Sequence, residues 1–192
     1  SKQELVLVKF PDGDPTVIVD GDHGHDVRRP RVSPSGTEIA FNVTPYDAHT
    51  AYPSQIGVAS IDGSNVRLLG TGQDPSWSPD GVSLVFTRAG DHDDVHDLFT
   101  LRLDDPTHVT RLTTQAALFE PCWSPDGKWL VAVDRRQQWV SCQPNPEIGV
   151  CVATTSFLVR LGADGTNRVP LTATTGAVFD PTWGSDGAIY FV

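Results

Sequence analysis

A chain of 192 residues can bury a substantial core and suggests one domain, at most two. Its 14 basic and 24 acidic residues give a formal charge of −10, which repels phosphate backbones and anionic headgroups and so argues against a nucleic-acid partner. No apolar run reaches the roughly 18 residues of a membrane span, and no signal-peptide pattern opens the chain.

Taken in order, the chain reads as strands and turns. Glu4–Phe10 is nearly continuous in apolar residues, PDGDP turns, and TVIV follows, which predicts a hairpin of two buried strands. The chain thus begins inside a strand-like run and stops inside another, Ala188–Val192, and reads as an excised piece. Similar hairpins recur at Ile56–Leu69, Leu98–Leu112 and Phe157–Leu171. Between them stands a second kind of hairpin, DPSWSPDG at Asp74–Gly81 and EPCWSPDG at Glu120–Gly127, with degraded copies DPTWGSDG at Asp180–Gly187 and RPRVSPSG at Arg29–Gly36. In these, Pro79 and Pro125 preset the second place of a type I turn, Asp80, Asp126 and Asp186 follow, and Gly81, Gly127 and Gly187 let the next strand return. Trp77, Trp123 and Trp183 hold equivalent places before the turn and are expected to pack between sheets.

Alternating the two hairpins gives a four-stranded unit, a-b-c-d, complete at about 30–69, 75–112 and 121–171, with a c-d pair in 1–20 and an a-b pair in 181–192. Repeated four-stranded antiparallel units of this length predict an all-β fold, the β-propeller. We expect a section of a ring of roughly six to eight blades; the alternative is closure of the two end pairs into a four-bladed ring, the lower limit of the usual range. The WSPDG turn followed by an apolar strand resembles the PD40, or WD40-like, repeat of TolB-type propellers, which also occurs in tricorn protease and related peptidase propellers. Val32 and Ser35 in the first copy, and Gly184-Ser185 in the last, depart from that pattern.

Meander connectivity puts the a-b and c-d turns on one rim and the b-c and d-a connections on the other. The second rim collects Asp20–Arg29, Thr44–Gln55, Ala89–Asp97, Thr113–Glu120, Asp134–Val152 and Thr172–Asp180, read as loops, and long loops on a rigid scaffold are where binding residues concentrate. The candidates there are His23, His25 and Asp26; Tyr46, Asp47, His49 and Tyr52; Asp91, His92, Asp93, Asp94, His96 and Asp97; and Trp139. Five of the six histidines fall on this rim. Imidazole and carboxylate clusters suit zinc, and the Asp91–Asp94 run would also suit calcium, but neither spacing matches a known ligand motif, so no metal or other cofactor is assigned.

Cys142 and Cys151 bracket a Pro-rich segment. A bridge there would contribute roughly 2–3 kcal/mol and imply an oxidising compartment, the alternative being two reduced thiols. Cys122 reads as a small core residue. Asn42-Val43-Thr44 matches a glycosylation sequon. There is no G-x-S-x-G elbow, no phosphate loop and no C-x-x-C pair, so no catalytic residues are assigned.

The resemblance to TolB-type propellers implies a non-enzymatic scaffold that presents the loop-rich rim to a protein or peptide, in a periplasmic, envelope or extracellular setting. Proteins of that type bind an envelope lipoprotein, but no residue here matches that contact surface. The competing expectations are a substrate-gating propeller of a peptidase or other hydrolase whose catalytic domain lies outside this chain, and a lyase or glycan-binding propeller using the His/Asp loops.

Overall fold

The computed structural model describes residues 4–8, 13–20, 25–45, 53–90, 95–141, 150–173 and 177–192. The order is β1 (Leu5–Leu7), β2 (Thr16–Val19), β3 (His25–Val32), β4 (Glu38–Pro45), β5 (Gln55–Ser60), β6 (Arg67–Thr71), β7 (Gln73–Trp77) and β8 (Ser83–Ala89). It continues through β9 (His96–Arg102), β10 (Asp105–Arg111), β11 (Leu118–Trp123), β12 (Trp129–Ser141), β13 (Val150–Gly162), β14 (Val169–Pro170), β15 (Thr182–Trp183) and β16 (Ile189–Tyr190). Strands β3–β6, β7–β10 and β11–β14 form four-stranded antiparallel meanders, flanked by the two-stranded sheets β1–β2 and β15–β16. The end pairs stand in separate sheets, so the described strands do not close a four-bladed ring.

Alternation along each inner strand sends side chains into two different cores. Leu84 and Phe86 of β8 pack with Ile56 and Val58 of the preceding sheet, whereas Val85 between them packs with Leu118, Leu130 and Phe157 of the following one. The same alternation in β12 gives Leu130 and Ala132 to one interface and Val131 and Val133 to the next, where Val178, Trp183 and Ile189 meet them. Each full burial of a side chain such as Phe86 or Leu130 is worth about 1.5–3 kcal/mol. The stack is therefore held by sheet-on-sheet contact.

The first hairpin is buried on one face only: Leu5, Ile18 and Val19 are covered while Val6 and Val17 are exposed, which corrects the expectation of two buried strands. The turns of all four repeat copies close with the same backbone bond, from Gly36 to Ser33, Gly81 to Ser78, Gly127 to Ser124 and Gly187 to Gly184, at 2.9–3.0 Å. The two degraded copies thus make regular turns, because each keeps glycine at the position of positive φ. Trp77 bridges sheets through its indole N–H, which donates to the Arg31 carbonyl at 2.8 Å. Trp123 and Trp183 hold the corresponding places against the next two cores, and Cys122 is half-buried against the same core as Trp183.

The segment Asp134–Val152, read from sequence as a loop, is mostly strand. β12 and β13 pair without interruption from Trp129↔Gly162 to Ser141↔Val150, while β11 accompanies β12 only as far as Asp134. Beyond that point the pair projects past its blade as a two-stranded arm. Trp139 lies in this arm, opposite Val152. Cys142 lies outside the described residues, and the expected bridge to Cys151 does so with it.

Candidate functional site

The residue before proline is special in every repeat. Arg29, Asp74, Glu120 and Asp180 precede Pro30, Pro75, Pro121 and Pro181, and all four have positive φ, between 47° and 56°. A residue before proline ordinarily favours extended backbone, and a non-glycine residue in the left-handed region costs of order 1–3 kcal/mol. In the first three repeats the pairing register also shifts here, between Arg28 and Arg31, Gln73 and Ser76, and Phe119 and Cys122. A bulge of this kind re-aims a side chain.

The four side chains meet where the first strands of consecutive sheets begin, at the b-c/d-a end, and with Arg31 line a narrow cleft. Arg29 is the hub: its guanidinium lies 3.1 Å from Asp74, 3.2 Å from Glu120 and 2.8 Å from Asp180. Glu120 also accepts from Arg135 and from the Asp180 backbone N–H, the latter at 2.7 Å. Asn42 fastens Asp74, accepting its backbone N–H at 2.8 Å. That side chain is buried, so the sequon is not presented to solvent.

Burial, opposed by Arg29 and reinforced by Glu120, pushes the Asp74 carboxyl above its ordinary 3.8. A raised folded value means that folding favours the protonated acid. That stabilisation is complete below 3.8 and is lost as pH rises through the folded value. Asp74→Asn should therefore gain on the parent chain as pH rises through this window, read as urea midpoints at a series of acid pH values. A midpoint difference independent of pH would contradict it.

A second concavity opens on the same rim, between the second and third sheets in chain order. Pro53, Ser54, Thr71 and Gly72 form one side of it, and Gln73, Thr87, Arg88, Ala89 and His96 the other. Arg88 lies 4.0 Å over the Phe99 ring, and among the described residues no ion pair engages it. Among the described residues, Thr87 Oγ1 and His96 Nδ1 are buried without a hydrogen-bond partner. His96 packs on Phe119, and burial holds its pKa below the ordinary 6.5.

The other sequence candidates fare differently. Asp97 is not on a loop: it lies in β9, is fully buried, and accepts from Arg111, Thr113 and the Gln115 and Ala116 backbone. Asp26 lies in β3, buried beside Arg28, and His25 begins that strand. These corrections share one cause: strand pairing runs to the rim and takes in polar residues that lack an apolar pattern. His23, Tyr46, Asp47, His49, Tyr52, Asp91, His92, Asp93 and Asp94 lie outside the described residues. Among the described residues no three His, Cys, Asp or Glu side chains are arranged to hold a metal ion, and no helix is long and apolar enough to cross a membrane.

The pre-proline residues were not singled out by the sequence reading. Their signal was the column before proline when the four repeats are aligned: three acids and one arginine.

No protein-family model matches the sequence, and no curated protein does. Solved structures do. TolB from Acinetobacter baumannii superposes with a TM-score of 0.71 at 17% identity, over 98% of this chain and 42% of its own. A TolB-type structure from Agrobacterium tumefaciens gives 0.68 at 23% identity, over 94% and 59%. An oligogalacturonate lyase in complex with manganese gives 0.63 at 19% identity, over 96% and 48%. Acylaminoacyl peptidases also match, one over 76% of this chain but only 25% of its own length. The chain thus spans about half the length or less of most of these structures, and its four-stranded antiparallel sheets have the fold of a section of a TolB-like β-propeller.

Proposed function

We propose that this chain is a single propeller domain, or a section of one, that works as a non-enzymatic scaffold and holds a protein or peptide on its b-c/d-a rim. One observation carries the reading: the groove beside Arg88 opens at that end, next to the cleft where Arg29 and its three acids tie the repeats together. The described side chains there are ion-paired or hydrogen-bonding groups, with no nucleophile-and-base pair among them. A periplasmic, envelope or extracellular setting belongs to the same reading. It is supported by the likeness to TolB structures and by the spacing of Cys142 and Cys151.

A displayed library of random peptides tests the reading. Sequences enriched on the whole chain should lose binding to Ser54→Trp and Gln73→Trp, which fill the rim groove, and keep it for Asp104→Ala and Lys128→Ala on the opposite rim. Enrichment that responds only to the opposite-rim variants would overturn it.

The second reading, a gating propeller beside a catalytic domain, is favoured by the peptidases whose likeness to this chain takes in only a quarter of their own length. A nucleophile elbow in the parent gene beyond these residues would decide for it.

A further inference from the structure

We propose that the groove between the second and third sheets is an anion subsite, with Arg88 as its anchor and a carboxylate-bearing segment of a protein or peptide as its occupant. The inference rests on the scaffold reading above and names the chemistry of the partner. The groove holds about 520 Å³, within the roughly 300–1,000 Å³ of ordinary ligand sites. Its walls carry polar groups on both sides, Ser54 and Thr71 beside the second sheet and Gln73 and Arg88 from the third.

Arg88 is positioned before any ligand arrives. Its guanidinium lies on the Phe99 ring, and the Arg111 guanidinium lies 5.9 Å from the same ring, on its way to Asp97 at 2.7 Å. Arg111 has its acid; Arg88 has none among the described residues. Two guanidinium groups lie near one ring, and among the described residues the acid that pairs with Arg111 makes no ion pair with Arg88, whose positive charge stands beside a cavity where burial adds to its cost. A carboxylate entering the groove supplies the missing partner, and a fork-shaped, stacked guanidinium can hold both its oxygens. The chain's net charge of −10 disfavours anions elsewhere on the surface, which makes such a site selective for position.

The test uses the peptides enriched above that respond to Ser54→Trp. Replacing their acidic residues one at a time by the amides, and their C-terminal carboxylate by an amide, should expose one carboxylate whose loss weakens binding at least about tenfold, the worth of a charge-assisted hydrogen bond. Arg88→Met, which keeps the packing on Phe99, should cost the same factor and add nothing to the peptide change, while Arg88→Lys should recover part of it. Rim-binding peptides indifferent to every carboxylate change and to Arg88→Met would overturn the anion subsite and leave the scaffold reading standing. Absence of any peptide that senses Ser54→Trp would overturn both. Acidic-peptide affinity that appears only when Asp91, Asp93 and Asp94 are changed to Asn would also overturn the proposal, since Arg88 would then be serving the chain's own acids.

Discussion

Replacing Asp97 by alanine is expected to lower stability by about 3–5 kcal/mol, the usual cost of removing one partner from a buried charge pair. The carboxylate has no exposed surface and accepts four hydrogen bonds: Arg111 at 2.7 Å, Ala116 N–H at 2.9 Å, Thr113 Oγ1 at 3.0 Å and Gln115 N–H at 3.1 Å. Thr113, Gln115 and Ala116 lie in the connection that carries the chain from one sheet to the next, so the side chain fixes that crossing as well as its own strand. Alanine would remove the Asp97 carboxylate from the Arg111 guanidinium and leave two backbone donors in need of new partners. For a domain of this size the loss corresponds to a fall in Tm of roughly 2–4 °C per kcal/mol. Asp97→Asn should cost less, because it keeps the volume and one acceptor oxygen. Chemical denaturation of both variants checks the order, and an Asp97→Ala chain within about 1 kcal/mol of the parent would show that the network is not a structural tie.

Asp97 also shows what the sequence could and could not disclose. The turns were legible because their chemistry is local: serine, proline, aspartate and glycine state the turn within a few residues, and the tryptophan at Trp77 follows from its place in the repeat. The alternating apolar strands β8 and β12 were legible for the same reason. The polar ends of strands were not. His96-Asp97 and the Arg135–Gln138 run look like loops because nothing apolar marks them, yet each is held in a strand by a ladder to a partner strand, Ala89↔His96 and Arg136↔Thr155 among its rungs. The Asp97 network joins residues 14–19 positions apart, a separation at which no local pattern operates.

The cluster around Arg29 was hidden differently. Asp74 and Glu120 were written in the repeat itself and attributed to it, whereas their meaning depends on a backbone conformation that proline's neighbour rarely adopts. The bulge turns each side chain toward the same point, and only the assembled sheets show that Arg29 stands opposite three acids. Strain of this kind is stored where a side chain must be aimed, and it is tolerated only if surrounding contacts over-determine it. Asn42 gripping the backbone of Asp74 is one such contact, and Glu120 accepting the Asp180 N–H is another.

Glu120 is therefore the place where the cluster can be opened. Its carboxylate is almost wholly buried and joins Arg29, Arg135 and the Asp180 N–H. Glu120→Ala is expected to cost about 3 kcal/mol, the low end for a broken buried pair, because the side chains of Arg29 and Arg135 are 37% and 27% exposed and water can take up part of their charge. Glu120→Gln keeps the length and the backbone preference of the residue, so it isolates the charge; it should lose less, since its amide oxygen can still accept one bond. A double-mutant cycle with Arg29→Met separates the ion pair from the rest of the cluster, and contact at 3.2 Å calls for a coupling of about 0.5–3 kcal/mol. A cycle with no coupling, and a Glu120→Gln chain as stable as the parent, would mean that Arg29 is held by solvent-screened charge alone. It would then be free to leave its three acids for a ligand, and the cluster would have to be read as part of the binding surface and not as the tie that joins four repeats.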